Sequence, residues 1–403
     1  MTAHDLTADS RGMSLPELRD FLTDHLVHFV APFWPRYAID REHGGIFSCI
    51  EDDGTIQSTD KYMWSQARGL WTFSALHNRV ERRAEWLDIA HGLFRFLREH
   101  GRDEDGCWLF LVDAEGSRLK GPESIVTDAF AVLGLVEYHR ATGNDEALHI
   151  GLETYDSVMK RLARPYTYGT APYPTPPGTR PHREPMQFSL AFWELAKATG
   201  SEQVRNTALE MSARIVRDHY RDESRAVLEY IGNDGGPVDA DYGRAMVPGH
   251  GIESAYFTVL INREAGRPEL ADKACRAMRW CVERGWDDEC GGLFLGIDIE
   301  GKEPVYWKNA EKKIWWVHAE ALAGLLVARE HCREDWCLDW YHRVHEWSFA
   351  RFPVPEYGEW TQRLDREGNR ITDLIALPVK DPFHLPRALV VAIETLRRMT
   401  DGR

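Results

Sequence analysis

Four short segments of this chain repeat one design along its length, and that repetition limits the fold more than any other feature. They read Asp40-REHGGIFSCIEDDG, Asp103-EDGCWLFLVDAEG, Asp287-DECGGLFLGIDIEG and Pro355-EYGEWTQRLDREG. A looser copy, Arg221-DESRAVLEYIGNDGG, and a Pro/Tyr/Gly-rich loop over 164–180 fill the two remaining places in the series. Each clear copy is a short aromatic or β-branched run closed by an acidic, glycine-ended turn, which predicts a β-hairpin. A unit recurring roughly every sixty residues marks a repeat architecture, in which one supersecondary motif is copied along the chain.

Between the hairpins the periodicity is helical, in two alternating kinds. One kind is amphipathic: Val204, Ala208, Met211 and Ile215 mark one face of 202–219, and Leu148, Leu152, Tyr155 and Met159 one face of 145–162. Related segments are 14–33, 84–100, 269–285 and 335–352. The other kind is apolar nearly all round, as a helix packed on both sides must be: 64–80, 122–142, 185–199, 250–265, 313–331 and 384–399. Several of these stop at glycine (Gly143, Gly200, Gly266), a common C-terminal signal. The order outer helix, hairpin, inner helix, six times over, predicts an all-α fold. In it, six helical pairs close into a toroid with short hairpins on one face. An open solenoid is the competing arrangement, but no terminal unit carries a polar cap, which favours closure.

Charge and length remove several function classes. The 403 residues carry a net charge of −15, with no basic run to track phosphates, so neither nucleic acid nor an anionic membrane surface is expected as partner. No apolar stretch approaches the ~18 residues a bilayer span needs. Residues 1–12 are polar and carry no secretory pattern, so they are expected to be a disordered leader before a single domain over 13–403. Seven cysteines without any C-x-x-C pair fit a reducing cytoplasm better than a disulfide framework or a zinc site.

The polar residues of unusual type fall at matching places. Arg68, Asp128, Gln187, His250, Glu320 and His384 stand at or near the starts of the six inner helices, with successive gaps of 60, 59, 63, 70 and 64 residues. If the ring closes, all six point into one mouth, an arrangement suited to a small-molecule site. Glu253 lies three residues after His250, on the same helix face. Tyr62, Trp64 and Trp316 are aromatic candidates for contact with a ligand, Trp64 one turn before Arg68 and Trp316 one turn before Glu320. Each has a plainer reading: a histidine that caps a helix, an arginine paired with an acidic neighbour, Glu320 as a buried partner of His318, tryptophans as core. Their shared phase in the repeat argues against six such coincidences.

Lys61-YMWSQARGLW, Gly249-HGIE, Ile314-WWVHAEA, Pro355-EYGEW and Asp381-PFHLPR resemble, in order, the signature segments of the N-acylglucosamine 2-epimerase family. That family includes mannose isomerases and the mannose and cellobiose 2-epimerases, and the resemblance runs from about residue 15 to 400. It implies an (α/α)6 barrel, a homodimer and no redox cofactor. It also implies catalytic roles for Arg68, His250, Glu320 and His384, with Glu253 beside the first histidine. Asp128, Gln187, Tyr62, Trp64 and Trp316 are then the candidates for binding substrate. Nothing resembles a metal-binding triad.

The sequence departs from the family pattern in three places. Cellobiose- and mannose-type members have Met-His in the third inner helix where this chain has Met186-Gln187. Cellobiose-type members carry a tryptophan shortly before the last histidine, where Val379 stands here, which disfavours a disaccharide. The Gly-rich stretch associated with allosteric activation by ATP is replaced by Leu377-PVKDPFH, which disfavours such activation without excluding it. The wording is nearest the N-acylglucosamine branch.

The expected chemistry is inversion at C2 of an N-acyl-D-glucosamine or N-acyl-D-mannosamine. Two histidines move the proton off one face and onto the other, and Arg68 faces the developing oxyanion. An aldose–ketose isomerase or 2-epimerase of unmodified mannose or glucose is the near rival. A glycoside hydrolase using two of Asp128, Glu253 and Glu320 is the distant one, and a carbohydrate-binding scaffold without catalysis more distant still.

Overall fold

Three of the six outer helices begin on side chains that take up the unpaired N–H groups of the first turn. Ser14 and Glu17 form a reciprocal capping box, Asn144 accepts from the Ala147 N–H, and Ser201 from the Val204 N–H. The computed structural model describes residues 9–304, 309–372 and 377–401. Among these, the outer helices are Leu15–Asp24 (extended by a wider turn, His25–Val30), Ala84–His100, Asp145–Leu162, Glu202–Arg214 (extended by Ile215–His219), Pro268–Gly285 and Trp336–Phe349. The inner helices are Met63–Ala75 (extended by Leu76–Val80), Val126–Thr142, Arg183–Thr199, Pro248–Glu264, Trp315–Cys332 and His384–Asp401. The second and third inner helices stop at Gly143 and Gly200 in the left-handed conformation, φ 71° and 69°.

Each inner helix packs against the next, and the sixth returns to the first, so the ring closes. The seam is bonded by side chains: Ser65 and Arg68 of the first inner helix donate to Asp381, just before the sixth, at 3.1 and 2.9 Å. The expected helical toroid is therefore the observed fold, and a single apolar core runs around it from Leu18 to Leu396. In the helix 145–162 the buried stripe is turned from the expected one. Ala147, Ile150, Thr154 and Val158 join Tyr155 inside, while Leu148, Leu152 and Met159 sit at the boundary. No helix among the described residues is long and apolar enough to cross a membrane. Of the expected leader, residues 1–8 lie outside the described residues. Ser10–Gly12 forms a short 3-10 turn tied down by Ser10 on His342 and Arg11 on Glu346.

The hairpins link one unit to the next, which local sequence pattern does not reveal. The strand ahead of an inner helix pairs antiparallel with the hairpin that follows that helix: Lys61–Tyr62 with Leu111–Val112, Thr179–Pro181 with Tyr230–Gly232, Ala245–Met246 with Ile297–Asp298, and Lys313–Ile314 with Arg363–Leu364. Inner-helix side chains bond the hairpins as well. Gln66 exchanges two hydrogen bonds with the backbone of Ile46, each 2.8 Å, and His318 accepts from the Leu293 N–H at 2.9 Å.

Three of the units also hold a buried lysine just before the inner helix. Lys61 reaches Asp40 at 2.6 Å, Lys313 reaches Asp287 at 3.0 Å, and Lys380 reaches Glu359 at 2.9 Å. The carboxylates belong to the hairpins, so each pair clamps a hairpin to the helix whose start it must shape. Such a pair contributes little against an apolar replacement of both partners, but removing one partner strands a buried charge. Replacing Lys61 with methionine also deletes its bonds to the Gly44 and Ala114 carbonyls. We expect Lys61→Met to lose about 3 kcal/mol of stability in equilibrium denaturant unfolding. A loss below about 1 kcal/mol, the level of a surface pair, would show that the clamp is dispensable.

Candidate active site

The residues that close the ring also floor a cavity at its hairpin face. Arg68, Gln187, His250 and His384, four of the six residues expected there, line it, together with Glu253, Trp64 and Trp316. Arg183, Asp381, Trp315 and Gln362 complete most of its polar and aromatic wall. Each belongs to an inner helix or to a hairpin, except Asp381, which stands just before the sixth inner helix.

Two of the six expected residues lie elsewhere. Asp128 is fully buried and bonded to Arg161 of the neighbouring outer helix, so it does not face the cavity. Its helix turns Val126 and Phe130 inward instead, and a residue two positions from each sits on nearly the opposite side. Glu320 is fully buried beneath His384 rather than at the surface of the cavity. Tyr62 also stands back from the lining; it packs in a small apolar cluster with Cys49, Phe110 and Leu111. Of the three carboxylates weighed for hydrolysis only Glu253 lines the cavity, and Arg387 holds it at 2.5 Å, so the pair that hydrolysis needs is not assembled from them.

Both histidines pack against one indole. The ring of His250 lies 5.2 Å from Trp316 and that of His384 5.5 Å from it, centre to centre. Gly249 permits this, because a Cβ there would come within 2.4 Å of the Trp316 ring.

Their partners differ. His384 Nδ1 donates to Glu320 Oε1 at 2.7 Å, which fixes the tautomer and leaves Nε2 as the basic nitrogen, 3.4 Å from Arg68 Nη2. The charge of Glu320 is shared: Arg387 Nη2 donates to it at 2.6 Å and to Glu253 at 2.5 Å, and Tyr256 donates at 2.7 Å. Burial, then the positive charge of Arg68, pushes the His384 pKa down to about 3, so the ring is neutral near pH 7. His250 Nδ1 bonds Glu229 Oε2 at 3.0 Å. Burial disfavours charge here too, but the Glu229 carboxylate outweighs it and raises the pKa above 6.5. One cavity thus holds one neutral imidazole and one that favours the proton.

Glu229, Asp381 and Arg387 are the functional residues that sequence reading missed. A signal for Glu229 exists. Aligned on the backbone bonds that begin each hairpin, it falls in the place occupied by Leu295 and Gln362 of the cavity wall. The side-chain atoms of Glu253, Glu320 and His384 lie within 4.8 Å of one another, a spacing that suits a cation. Arg387 supplies that positive charge, donating to both carboxylates through one nitrogen.

The whole chain has relatives. Residues 45–388 match the family model for N-acylglucosamine 2-epimerase. The chain is 29% identical over 380 residues to the N-acylglucosamine 2-epimerase of Bos taurus, covering 92% of this chain and 89% of that protein. It is 30% identical over 412 residues to the cellobiose 2-epimerase of Bacteroides fragilis, covering 93% and 98%. The structure of cellobiose 2-epimerase from Bacillus thermoamylovorans B4167 superposes with a TM-score of 0.81 over 94% of this chain and 99% of that one, at 20% identity, and so shares the fold.

The asymmetry of the histidines yields a test. If the Glu229 carboxylate is what raises the His250 pKa, then Glu229→Gln leaves burial unopposed and the pKa falls. The imidazole NMR titration of His250 then moves from above 6.5 to below it. An unmoved midpoint would assign the raised pKa to another group.

Proposed function

Since this chain belongs to the N-acylglucosamine 2-epimerase family, we propose that it inverts C2 of N-acyl-D-glucosamine and N-acyl-D-mannosamine by a two-histidine proton transfer. It is a carbohydrate epimerase, and the single observation that carries the finer reading is the pair of oppositely tuned imidazoles lining one cavity beside Trp316.

In the open-chain sugar the C2 hydrogen is acidified by the C1 carbonyl. His384 Nε2 takes that proton; the C–H electron pair becomes the C1–C2 double bond, and the carbonyl pair moves to O1. Arg68, 3.4 Å from the same nitrogen, stabilises the oxyanion. The O1 pair then returns, and C2 takes a proton from His250 on the other face. The opposite direction begins with the proton states exchanged. No electron leaves the sugar, so no redox cofactor is required. Glu320 orients His384 as Glu229 orients His250, which makes both positioning residues.

Two features support an N-acylated monosaccharide. Ala171, Leu377 and Val379 gather with Trp64 against one apolar cluster at the cavity wall, a corner that suits an acyl methyl. Val379 also stands where the cellobiose-type pattern has a tryptophan, so no indole there offers a second sugar a stacking face.

Each histidine is worth about 10²–10⁴-fold as general acid or base. His250→Asn and His384→Asn should each lower kcat/KM by that factor, while wild-type turnover in deuterium oxide carries solvent deuterium into C2. Near-normal turnover in either variant, or product without deuterium, would overturn the mechanism. Assayed side by side, N-acetylglucosamine should react and cellobiose and mannose should not. Val379→Asp should then raise KM for N-acetylglucosamine about tenfold, roughly 1.4 kcal/mol, with kcat little changed. If mannose is turned over faster than N-acetylglucosamine, the N-acyl assignment falls while the proton chemistry stands.

A further inference from the structure

We propose that Cys332 and Cys337 form a redox-active dithiol, a modification site in which Cys332 attacks a small-molecule disulfide and Cys337 closes the protein disulfide. Cys332 is the last residue of the fifth inner helix, and Cys337 is the second residue of the outer helix that follows. The turn between them is exposed at Arg333, Glu334 and Asp335, with Arg333 in the left-handed conformation at φ 59°. It brings the two sulfurs to 3.6 Å, so that a shift of about 1.6 Å makes the bond of about 2.0 Å.

Roles follow from surroundings. Cys332 is partly exposed and Cys337 fully buried, so an incoming reagent meets Cys332 first. The neighbouring thiols of Cys275 and Cys337, with the Glu334 N–H, favour the ionised Cys332 sulfur and hold its pKa down. The same contacts, with burial, push Cys275 and Cys337 up. A partly exposed sulfur surrounded by donors is the environment of a reactive thiolate. Cys49 and Cys281 lack it: both are buried, and burial raises their thiols, that of Cys49 to about 11.

The reaction balances with glutathione disulfide as oxidant. The Cys332 thiolate displaces one glutathione thiolate and forms a mixed disulfide. Cys337, losing its proton, attacks the Cys332 sulfur and displaces the second. The protein gives up two protons and two electrons and releases two molecules of reduced glutathione.

The test uses the folded wild-type chain with glutathione disulfide at neutral pH, followed by alkylation of the remaining thiols and peptide mapping by mass spectrometry. The expected product joins Cys332 to Cys337, leaves the other five cysteines alkylated, and reverts with dithiothreitol. Cys337→Ser should stop at one glutathione held on Cys332, and Cys332→Ser should take up none at Cys337. Alkylation of both residues in the treated wild type would overturn the proposal, as would a cross-link of Cys332 to Cys275. Because the first arm uses the unaltered protein, misfolding of a variant cannot mimic either result.

Discussion

The guanidinium of Arg387 is the interaction on which the site depends. It projects from the sixth inner helix and donates through one nitrogen to Glu253 of the fourth and Glu320 of the fifth, all three residues being at most 2% exposed. Two carboxylates brought this close in an apolar ring repel one another, and each alone costs several kcal/mol to desolvate. One arginine between them turns that repulsion into a bond joining three helices. It also sets the acceptor for His384: Glu320 Oε1 receives both Arg387 and the imidazole Nδ1–H. Closure of the ring and orientation of His384 are therefore one arrangement, and a change that loosens the first misaligns the second.

The same burial acts on both histidines, so their opposite pKa directions must come from their partners. Glu320 shares its charge with Arg387 before His384 meets it, and Arg68 adds a positive charge on the cavity side. Among the described residues Glu229 pairs within 4.0 Å only with His250 and with His182, which burial keeps neutral, while Arg183 acts on it without a bond. A carboxylate with its charge spent elsewhere orients an imidazole, whereas one with its charge intact also holds a proton on it. The proposed inversion at C2 needs that difference, because two neutral bases have no proton to deliver and two cations cannot accept one.

Much of this was legible in the repeat. Twelve helical segments, their alternation, the ring, and the positions of Arg68, Gln187, His250 and His384 all follow from counting phase along the chain. Phase along the chain says little about depth or angle around a helix. Glu320 shares a face with Trp316, four residues earlier, but sits one turn deeper, which takes it from the cavity surface to the layer below. Asp128 has the right distance from the helix start and the wrong angle. Arg387 was hidden for the opposite reason, standing one turn past His384 where a helix interior is expected to be apolar. The pairing of each strand with the following unit's hairpin was invisible as well, since short strands carry no record of a partner some fifty residues away.

The repeat also explains how such a site can be built at low cost to the fold. The residue that follows the hairpin's first backbone bond is Leu295 in one unit, Gln362 in another and Glu229 in a third, and in each that first bond runs back to the end of the outer helix or just past it. A position held by main-chain hydrogen bonds tolerates exchange of its side chain, because the ladder does not depend on what the side chain is. The fourth unit uses that freedom to bury a carboxylate, and the carboxylate raises the pKa of the histidine near the start of the next helix. Gly249 makes the complementary move by giving up a side chain so that Trp316 can pack against both imidazoles. The chemistry thus resides in departures from the repeat at positions where the repeat itself bears the structural strain, which is why a symmetric ring can hold a site whose two halves must differ.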